Sequence, residues 1–439
     1  MNSAPRRVVI TGMGLICPMG STKETLWQGL SSGQSGVGPF TSIPSGTLPI
    51  KFAAEAGQFQ GEIEDFGLLD KEQKKAIRKG SKMMCRECQM GVAAAQRALS
   101  DAGLTPGKLD PERTGISFGS DYMLSLPEEF IEGIKQCLDA EGHFQFSRWG
   151  SEGLPKMSPL WLLKYLPNMP ASHVAIYNDL RGPNNSLTLR EASANVAVGE
   201  AFQIILRGSA ESMLCGATGT RLHPMKAMHS VQLEELASPE AEPAQACRPF
   251  DRNRTGMVLG EGAGAIIIEE LSTAQARGAV ILGEVLAASS SSVVQRNLVA
   301  QREAAMSNVL GNVLKAANVK AEEVGHIHAH GLSTRTSDIE EARAINNVFG
   351  SRLKPVPVTA AKSYFGNLGA GSGMVEMIAS LMAIKHGRLF PILNYKTPDP
   401  DCPVAAVTNG AAEPGKMFIN LNVTPQGQAS AILIRQFEG

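Results

Sequence analysis

The sequence contains no run of about 18 uncharged apolar residues, the length that a membrane-spanning helix requires. Its first residues, 1–7, are polar and lead directly into the strand-like Val8-Val9-Ile10, so the apolar segment of a secretory signal peptide is missing. Neither sign of charge predominates, because 41 basic and 42 acidic side chains give a net charge of −1. These absences argue against a membrane span, a leader peptide and a broadly basic surface for nucleic acid.

Two patterns that would indicate a cofactor or a metal are incomplete. Gly12 and Gly14 lack the third glycine of a dinucleotide-binding loop, and Pro18 interrupts the helix that should follow, so a tight turn is the better interpretation. Cys85 and Cys88 form a CxxC without a second pair, which predicts neither a zinc site nor a redox site. The seven irregularly spaced cysteines are typical of reduced thiols in a cytoplasmic protein.

The chain has 439 residues, too many for one ordinary core and about right for two or three packed units. Hydrophobic residues make up 43% and charged residues 19%, which is typical of a globular protein. The segment 121–180 is rich in aromatic residues and proline, and it predicts a cap rather than another strand–helix unit.

Outside that cap, strand-like and helix-like segments alternate, which predicts an α/β fold with mostly buried sheets. The predicted strands are 7–16, 114–118, 211–216, 263–269, 281–287, 326–329, 356–360 and 429–435. The predicted helices are 71–101, 191–207, 300–317, 337–347 and 371–386. The second half repeats the logic of the first, so we expect two similar halves, 1–254 and 255–439.

Five segments, in this order, resemble the β-ketoacyl-carrier-protein synthases of the thiolase superfamily. They are RRVVITGMGLICPMG (6–20), LRGPNNS (180–186), RPFDRNRTGMVLGEGAGAIIIEE (248–270), HAHGLSTRTSDIEEARAI (328–345) and AKSYFGNLGAGSGMVE (361–376). The resemblance extends from residue 6 to about 435. It implies a five-layered αβαβα fold, a dimer, and an acyl thioester delivered on the phosphopantetheine of an acyl carrier protein.

The resemblance also implies a set of site residues, one of which departs from the family. A nucleophilic cysteine at the N-terminus of a buried helix normally attacks the acyl thioester, and two further groups stabilise the enolate that malonyl decarboxylation produces. Counting from Gly182, the cysteine position falls on Glu191. The first histidine position is His330, the lysine position is Lys362, and the second histidine position is Asn367.

A carboxylate cannot replace a thiolate in thioester exchange, so condensation through an acyl-cysteine is not expected. If Glu191 is buried it needs a cation, and Lys362 is the expected partner. Three roles stay open for Glu191: an inert pair with Lys362, a base in decarboxylation or proton transfer, and a group that activates an incoming nucleophile without a covalent intermediate.

The loop 422–427 also departs from the resemblance. Elongating synthases carry a GFGGTN-type loop that gates the pocket and supplies a backbone N–H to the oxyanion hole. Here Pro425 lacks that N–H and fixes its own φ, so we expect a loop of different shape.

A basic cluster precedes the apolar part of the segment 71–101, and it has two interpretations. It is either a solvated helix face or, as the resemblance implies, the docking site of an acidic carrier protein. The docking residues would be Lys74, Lys75, Arg78, Lys79 and Lys82.

Three functions therefore stay open from the sequence. The chain is an enzyme that acts on acyl or malonyl thioesters by a cysteine-independent route, a chain-length-factor-like partner of a cysteine-bearing ketosynthase, or an acyl-binding protein without turnover. It would form a homodimer or a heterodimer, and no bound cofactor is expected.

Overall fold

The computed structural model describes residues 6–44, 46–105 and 107–439. The strands are β1 (Val8–Ile16), β2 (Thr114–Ser120), β3 (Asn184–Thr188), β4 (Ser212–Thr220), β5 (Glu261–Glu270), β6 (Gly283–Ser292), β7 (His326–His328), β8 (Pro357–Thr359), β9 (Ala405–Ala406), β10 (Met417–Val423) and β11 (Gln428–Arg435). The helices are α1 (Lys23–Ser32), α2 (Lys71–Gly80), α3 (Arg86–Asp101), α4 (Ile131–Gln136), α5 (Met169–Asn178), α6 (Ser193–Leu206), α7 (Pro224–Leu233), α8 (Leu271–Ala276), α9 (Arg302–Ala317), α10 (Arg335–Phe349), α11 (Lys362–Phe365) and α12 (Ser372–Lys385). Short 3-10 turns connect several of these elements.

The strand order shows an internal duplication. The strands run β3-β2-β4-β5-β1 and then β6-β11-β10-β7-β8-β9. Apart from the short β9, the second set repeats the first in mirror order, with its hairpin-like pair β10 and β11 in the places of β4 and β5. Antiparallel pairing of Val8–Ile10 with Gly283–Val285 joins the two sets. The change between the sets falls at 271–282, later in the chain than the boundary between 254 and 255 that the sequence indicated.

Helices lie on both sides of each set of strands. Helix α3 packs on β1, β4 and β5, while α9 packs on β6 and β11 and is itself covered by α10. Helices α6 and α12 contact strands of both sets, α6 through β2, β4, β6 and β11, and α12 through β5 and β10. The result is the alternation of helix, sheet, helix, sheet and helix that the family resemblance implied.

The central layer explains why these segments are so apolar. All residues of α12 from Ser372 to Ile384 are buried, because the helix is enclosed by strands and by α6. Strands β1 and β5 are buried along their whole length. Strands covered on both faces carry continuous apolar runs rather than alternation, as residues 262–268 of β5 illustrate.

Most predicted elements are present, but the structure differs from the prediction in several places. The predicted helix 71–101 is two helices, because a 3-10 turn at Ser81–Met83 and extended backbone at Met84 and Cys85 separate α2 from α3. Strands β3, β9 and β10 were not predicted.

The interpretation of Gly12 and Gly14 as a tight turn is wrong. Both glycines lie inside β1, where α3 crosses the strand so closely that a Cβ on Gly14 would stand 2.2 Å from the carbonyl oxygen of Ala94. A Cβ on Gly12 would stand 2.4 Å from the oxygen of Ala98. The two glycines are therefore explained by helix–strand packing.

The segment 121–180 interrupts the strand–helix alternation, as predicted. It contains short helical turns followed by α5, and it leaves many large apolar side chains in solvent. The more exposed members are Leu126, Ile131, Phe144, Phe146, Leu154, Leu160, Leu162 and Ile176. We call this group the cap face. No helix in the described part of the chain is long and apolar enough to cross a membrane.

Close packing of α3 on β1 predicts that Gly14→Ala destabilises the protein by roughly 1–3 kcal/mol, because the added methyl group overlaps backbone atoms. Chemical denaturation of the purified variant measures the loss. Gly57→Ala is the matched control, since a Cβ at Gly57 has no neighbour within 4 Å. Equal unfolding free energies for the two variants would contradict the packing explanation.

Candidate active site

Glu191 lies in a sharp turn at the entrance to α6. A 3-10 turn, Arg190–Ala192, precedes the helix, and Arg190 adopts a φ of 50°, a left-handed conformation that is costly for a residue with a side chain. Ser193 fixes this turn, because its hydroxyl accepts from the Leu189 N–H at 2.9 Å and donates to the Ser120 carbonyl at 3.1 Å. The geometry turns Glu191 inward, where it is 1% exposed.

The cation that pairs with Glu191 is Arg221, not Lys362. Arg221 directly follows β4, is fully buried, and donates from Nη2 to Oε1 of Glu191. Nε of Arg190 lies 3.5 Å from the other carboxylate oxygen. The expected pairing with Lys362 is wrong because its ammonium group donates to the carboxylate of Glu376 on α12 instead.

Two more acidic groups surround the guanidinium of Arg221. Its Nη1 lies 3.8 Å from Oδ2 of Asp121 and 3.8 Å from Oε1 of Glu234, and that Glu234 oxygen also accepts from Arg190 at 2.9 Å. We call Asp121, Arg190, Glu191, Arg221 and Glu234 the ion cluster. No motif in the sequence marked its members other than Glu191, since buried charges from distant segments leave no local pattern.

The ion cluster keeps Glu191 ionised. Burial alone raises the pKa of this carboxyl, but the charges of Arg221 and Arg190 outweigh the effect and lower the pKa overall. A carboxylate with a lowered pKa is a poor proton acceptor near neutral pH. The geometry therefore does not favour Glu191 as a general base.

Asn367 is engaged on both sides of its amide. Nδ2 donates to Oε1 of Glu191 at 3.1 Å, while Oδ1 accepts from the Gly369 N–H at 3.0 Å and from the Ser372 hydroxyl at 3.3 Å. The structure thus brings Asn367 and Glu191 together, as the sequence predicted. The same bonds occupy the amide that a bound enolate would need.

Among the predicted site residues, His330 has a side chain with one ring nitrogen, Nε2, that is not engaged by the contacts described below. Its backbone N–H and that of Gly331 donate to the two carboxylate oxygens of Glu341 on α10, at 2.6 and 2.8 Å, which fixes the loop after β7. Burial and the neighbouring Lys362 lower the pKa of the ring well below its usual value, so the imidazole is neutral.

Lys362 also sets the orientation of the histidine. Its Nζ lies 3.3 Å from Nδ1 of His330 and donates to the carbonyl of the same residue at 2.9 Å. Donation to Nδ1 leaves the ring proton on Nε2. His330 lines a pocket of about 120 Å³ together with Thr334 and Pro425, and the buried hydroxyl of Thr334 has no hydrogen-bond partner.

The loop 422–427 closes as a compact hairpin turn between β10 and β11. The Thr424 N–H donates to the Gln428 carbonyl and the Gly427 N–H donates to the Thr424 carbonyl, both at 2.9 Å. Because these donors are used inside the turn and Pro425 has none, those three residues offer no backbone N–H to an oxyanion.

The basic residues predicted to dock a carrier protein lie on α2 and in the turn that follows it. Lys74, Lys75, Arg78, Lys79 and Lys82 are all exposed. None of them takes part in an ion pair with another residue of the described ranges. The helix turns Gln73 and Ile77 inward, so its cationic side is free for a partner.

The buried ion pair of Glu191 and Arg221 predicts that Glu191→Gln strongly destabilises the protein. This variant keeps the shape of the side chain but leaves Arg221 without its full counter-charge, which costs about 3–5 kcal/mol when a buried pair is broken. Denaturant unfolding at neutral pH measures the loss. Glu152→Gln, which removes an exposed pair with Arg148, is the control and should change little.

The same pair predicts the pH dependence of stability. A lowered pKa in the folded state stabilises the fold above the ordinary glutamate value of 4.5, and that contribution is lost as the pH falls further. The stability difference between wild type and Glu191→Gln should therefore narrow progressively below pH 4.5. Unfolding curves collected over a pH series test this, and a constant difference would contradict it.

Comparisons with known proteins agree with this architecture. The N-terminal domain model of β-ketoacyl synthases matches residues 5–274, and the C-terminal domain model matches residues 282–396. The 3-oxoacyl-[acyl-carrier-protein] synthase 2 of Synechocystis is 33% identical over 405 residues, 91% of each chain. The corresponding synthase of Staphylococcus aureus is 31% identical over 438 residues, which cover 99% of this chain and all of the relative.

A solved structure, the ishigamide ketosynthase/chain length factor, superposes with a TM-score of 0.82 at 27% identity and covers 99% of this chain and all of its own. The assignment of Glu191 to the position of the family's cysteine stays a prediction. The sequence matches, the duplicated strand order and the layered α/β architecture all indicate the same family. The chain belongs to the β-ketoacyl synthase family and has its thiolase-like fold.

Proposed function

We propose that this chain is a non-condensing subunit of carrier-protein-bound fatty acid or polyketide synthesis, which pairs with a cysteine-bearing ketosynthase. The observation that supports the proposal best is the buried contact of Glu191 with Arg221 and Asn367. At the position assigned to the acyl-accepting cysteine, a charged side chain is neutralised by the protein itself. It therefore has neither the nucleophilicity nor the basicity that acyl transfer requires.

The surface of the chain supports a partner subunit. Strand β3 ends the sheet, its free edge carries unpaired backbone groups, and Asn184, Asn185 and Thr188 are exposed. The cap face adds a large apolar surface, which in a globular protein marks an interaction site. The ishigamide ketosynthase/chain length factor is similar along the whole chain, which favours a related ketosynthase as the partner.

A carrier-bound phosphopantetheine arm would enter the pocket that His330 lines. The pocket there offers the unpartnered hydroxyl of Thr334 to an amide of the arm and the Nε2–H of His330 to a thioester carbonyl. The arm is a substrate that the carrier protein would deliver, and it supplies the thioester. The residues of this chain would orient the carbonyl and polarise it.

That pocket also supports a second candidate function, the decarboxylation of a malonyl thioester. His330 is neutral and donates a hydrogen bond, so it can stabilise the oxygen of a developing enolate. Nδ2 of Asn367 already donates to Glu191 and contacts Sδ of Met257 at 3.6 Å, so it is not free to act as the second enolate donor that the resemblance implies. We therefore rank this function below the partner role.

The partner role predicts where condensation activity resides. Co-expressed with a cysteine-bearing ketosynthase, this chain should copurify in a complex that condenses malonyl and acyl groups on carrier protein. Replacing the partner's cysteine should abolish product, whereas Glu191→Gln in this chain should leave turnover per folded complex nearly unchanged. Intact-mass spectrometry measures acylation of each subunit, and an acyl group bound to this chain alone would overturn the proposal.

A separate incubation distinguishes the second candidate function, malonyl decarboxylation, from the partner role. Incubation of this chain by itself with malonyl-carrier protein should release little carbon dioxide. Release that disappears in His330→Ala but persists in Glu191→Gln would favour decarboxylation over the partner role.

The exposed basic residues predict the carrier-docking surface. Charge reversal in Lys74→Glu or Lys79→Glu should weaken binding of an acidic carrier protein, and the effect should fade at high ionic strength because exposed charges are screened. Lys354→Glu is the matched control, because Lys354 is an exposed lysine in the loop between α10 and β8. Fluorescence anisotropy of a labelled carrier protein measures the affinities, and equal losses in all three variants would contradict a specific surface.

A further inference from the structure

Three sulfur atoms meet beneath the cap, at the start of α3. Sγ of Cys85 lies 3.6 Å from Sγ of Cys88, and Sδ of Met123 lies 3.7 Å from the first and 3.9 Å from the second. The three side chains come from two separate segments, since Met123 lies in the irregular chain just after β2. The sulfurs therefore form a nearly equilateral triangle.

The size of the triangle suits a single metal ion. A d¹⁰ ion about 2.3 Å from each of three sulfurs in one plane requires sulfurs about 4.0 Å apart. Each edge would have to lengthen by only 0.1–0.4 Å, which rotation of the side chains supplies. The triangle is thus already close to the geometry of a trigonal three-sulfur site.

The donor set selects the class of ion. Two thiols and one thioether are soft ligands that favour Cu(I), whereas Zn(II) takes thiolate, imidazole or carboxylate. In the described residues no three His, Cys, Asp or Glu side chains are grouped to hold a metal. The nearby carboxylates are already paired, Glu87 with Lys226 and Glu129 with Lys164.

Position and access complete the site. Cys85 is the residue that directly precedes α3. It lines a pocket of about 370 Å³ that opens between the cap and α3, whereas Cys88 is fully buried behind it. The pocket gives an ion a route from solvent to the first sulfur.

We infer that Cys85, Cys88 and Met123 form a binding site for a soft monovalent cation, with Cu(I) as its ligand. On binding, the two thiols release their protons to solvent and the thioether completes a three-coordinate shell. The site is separate from the ion cluster and from His330, so it does not depend on the proposed function.

The test uses the whole protein, reduced and kept under anaerobic conditions, titrated with Cu(I) against the chelator bicinchoninate. Wild type should hold one equivalent, and X-ray absorption should show a shell of about three sulfur atoms with no nitrogen or oxygen. Met123→Leu should weaken binding at least about tenfold, and Cys85→Ser or Cys88→Ser should abolish it. Zn(II) in excess should not displace the ion.

Cys137→Ser and Cys402→Ser are the matched controls, because they remove buried thiols elsewhere and should leave Cu(I) binding unchanged. Thermal melts of the metal-free variants identify any that fail to fold. The X-ray absorption spectrum of wild type tests the ligand set without relying on any variant. Lack of binding by wild type, binding that survives Cys85→Ser, or equally tight Zn(II) binding would each overturn the inference. The three sulfurs would then be ordinary contacts in the core.

Discussion

A charged carboxylate in a dry interior must be neutralised, and the pairing of Glu191 with Arg221 meets that requirement here. The desolvation of both groups is costly, so the pair is stable only while its geometry is held. The left-handed turn at Arg190, the amide of Asn367 and the acids Asp121 and Glu234 all converge on it. The surrounding structure is organised around one ion pair rather than around a nucleophile.

A second polar network lies deeper between the two sets of strands. Lys362 donates to Glu376, whose other oxygen accepts from Asn422 at 2.7 Å, and Asn422 in turn accepts from Asn195 at 3.0 Å. These bonds join α12, β10 and α6, so they fix the central helical layer against the second set of strands. The orientation of His330 depends on this network through Lys362.

The two networks have opposite effects on the reactivity of the site. The Lys362 network keeps His330 neutral and turned toward a small pocket, which preserves an environment able to polarise a carbonyl. The ion cluster keeps the Glu191 carboxylate paired and ionised, so this side chain is neither a strong nucleophile nor a strong base. Both networks support the proposed role of a non-condensing partner subunit.

Much of the fold could be predicted from the sequence because buried strands and helices leave local apolar patterns. The segments predicted at 263–269, 326–329, 371–386 and 429–435 show this, since they overlap β5, β7, α12 and β11 of the structure. Strand β3 escaped prediction because Asn184–Thr188 is polar and exposed at the sheet edge. The helix 71–101 was predicted without its break because no proline or glycine pair marks Met84 and Cys85.

For the candidate site, the sequence by itself indicated Glu191, His330, Lys362 and Asn367, because the motifs around these residues are local and ordered along the chain. Only the tertiary structure decided which cation meets which carboxylate. Arg221 reaches Glu191 because the end of β4 lies next to the start of α6 in the fold, whereas Lys362 pairs with Glu376. Charge pairing depends on distances of a few ångströms between segments far apart in sequence, and no local pattern encodes those distances.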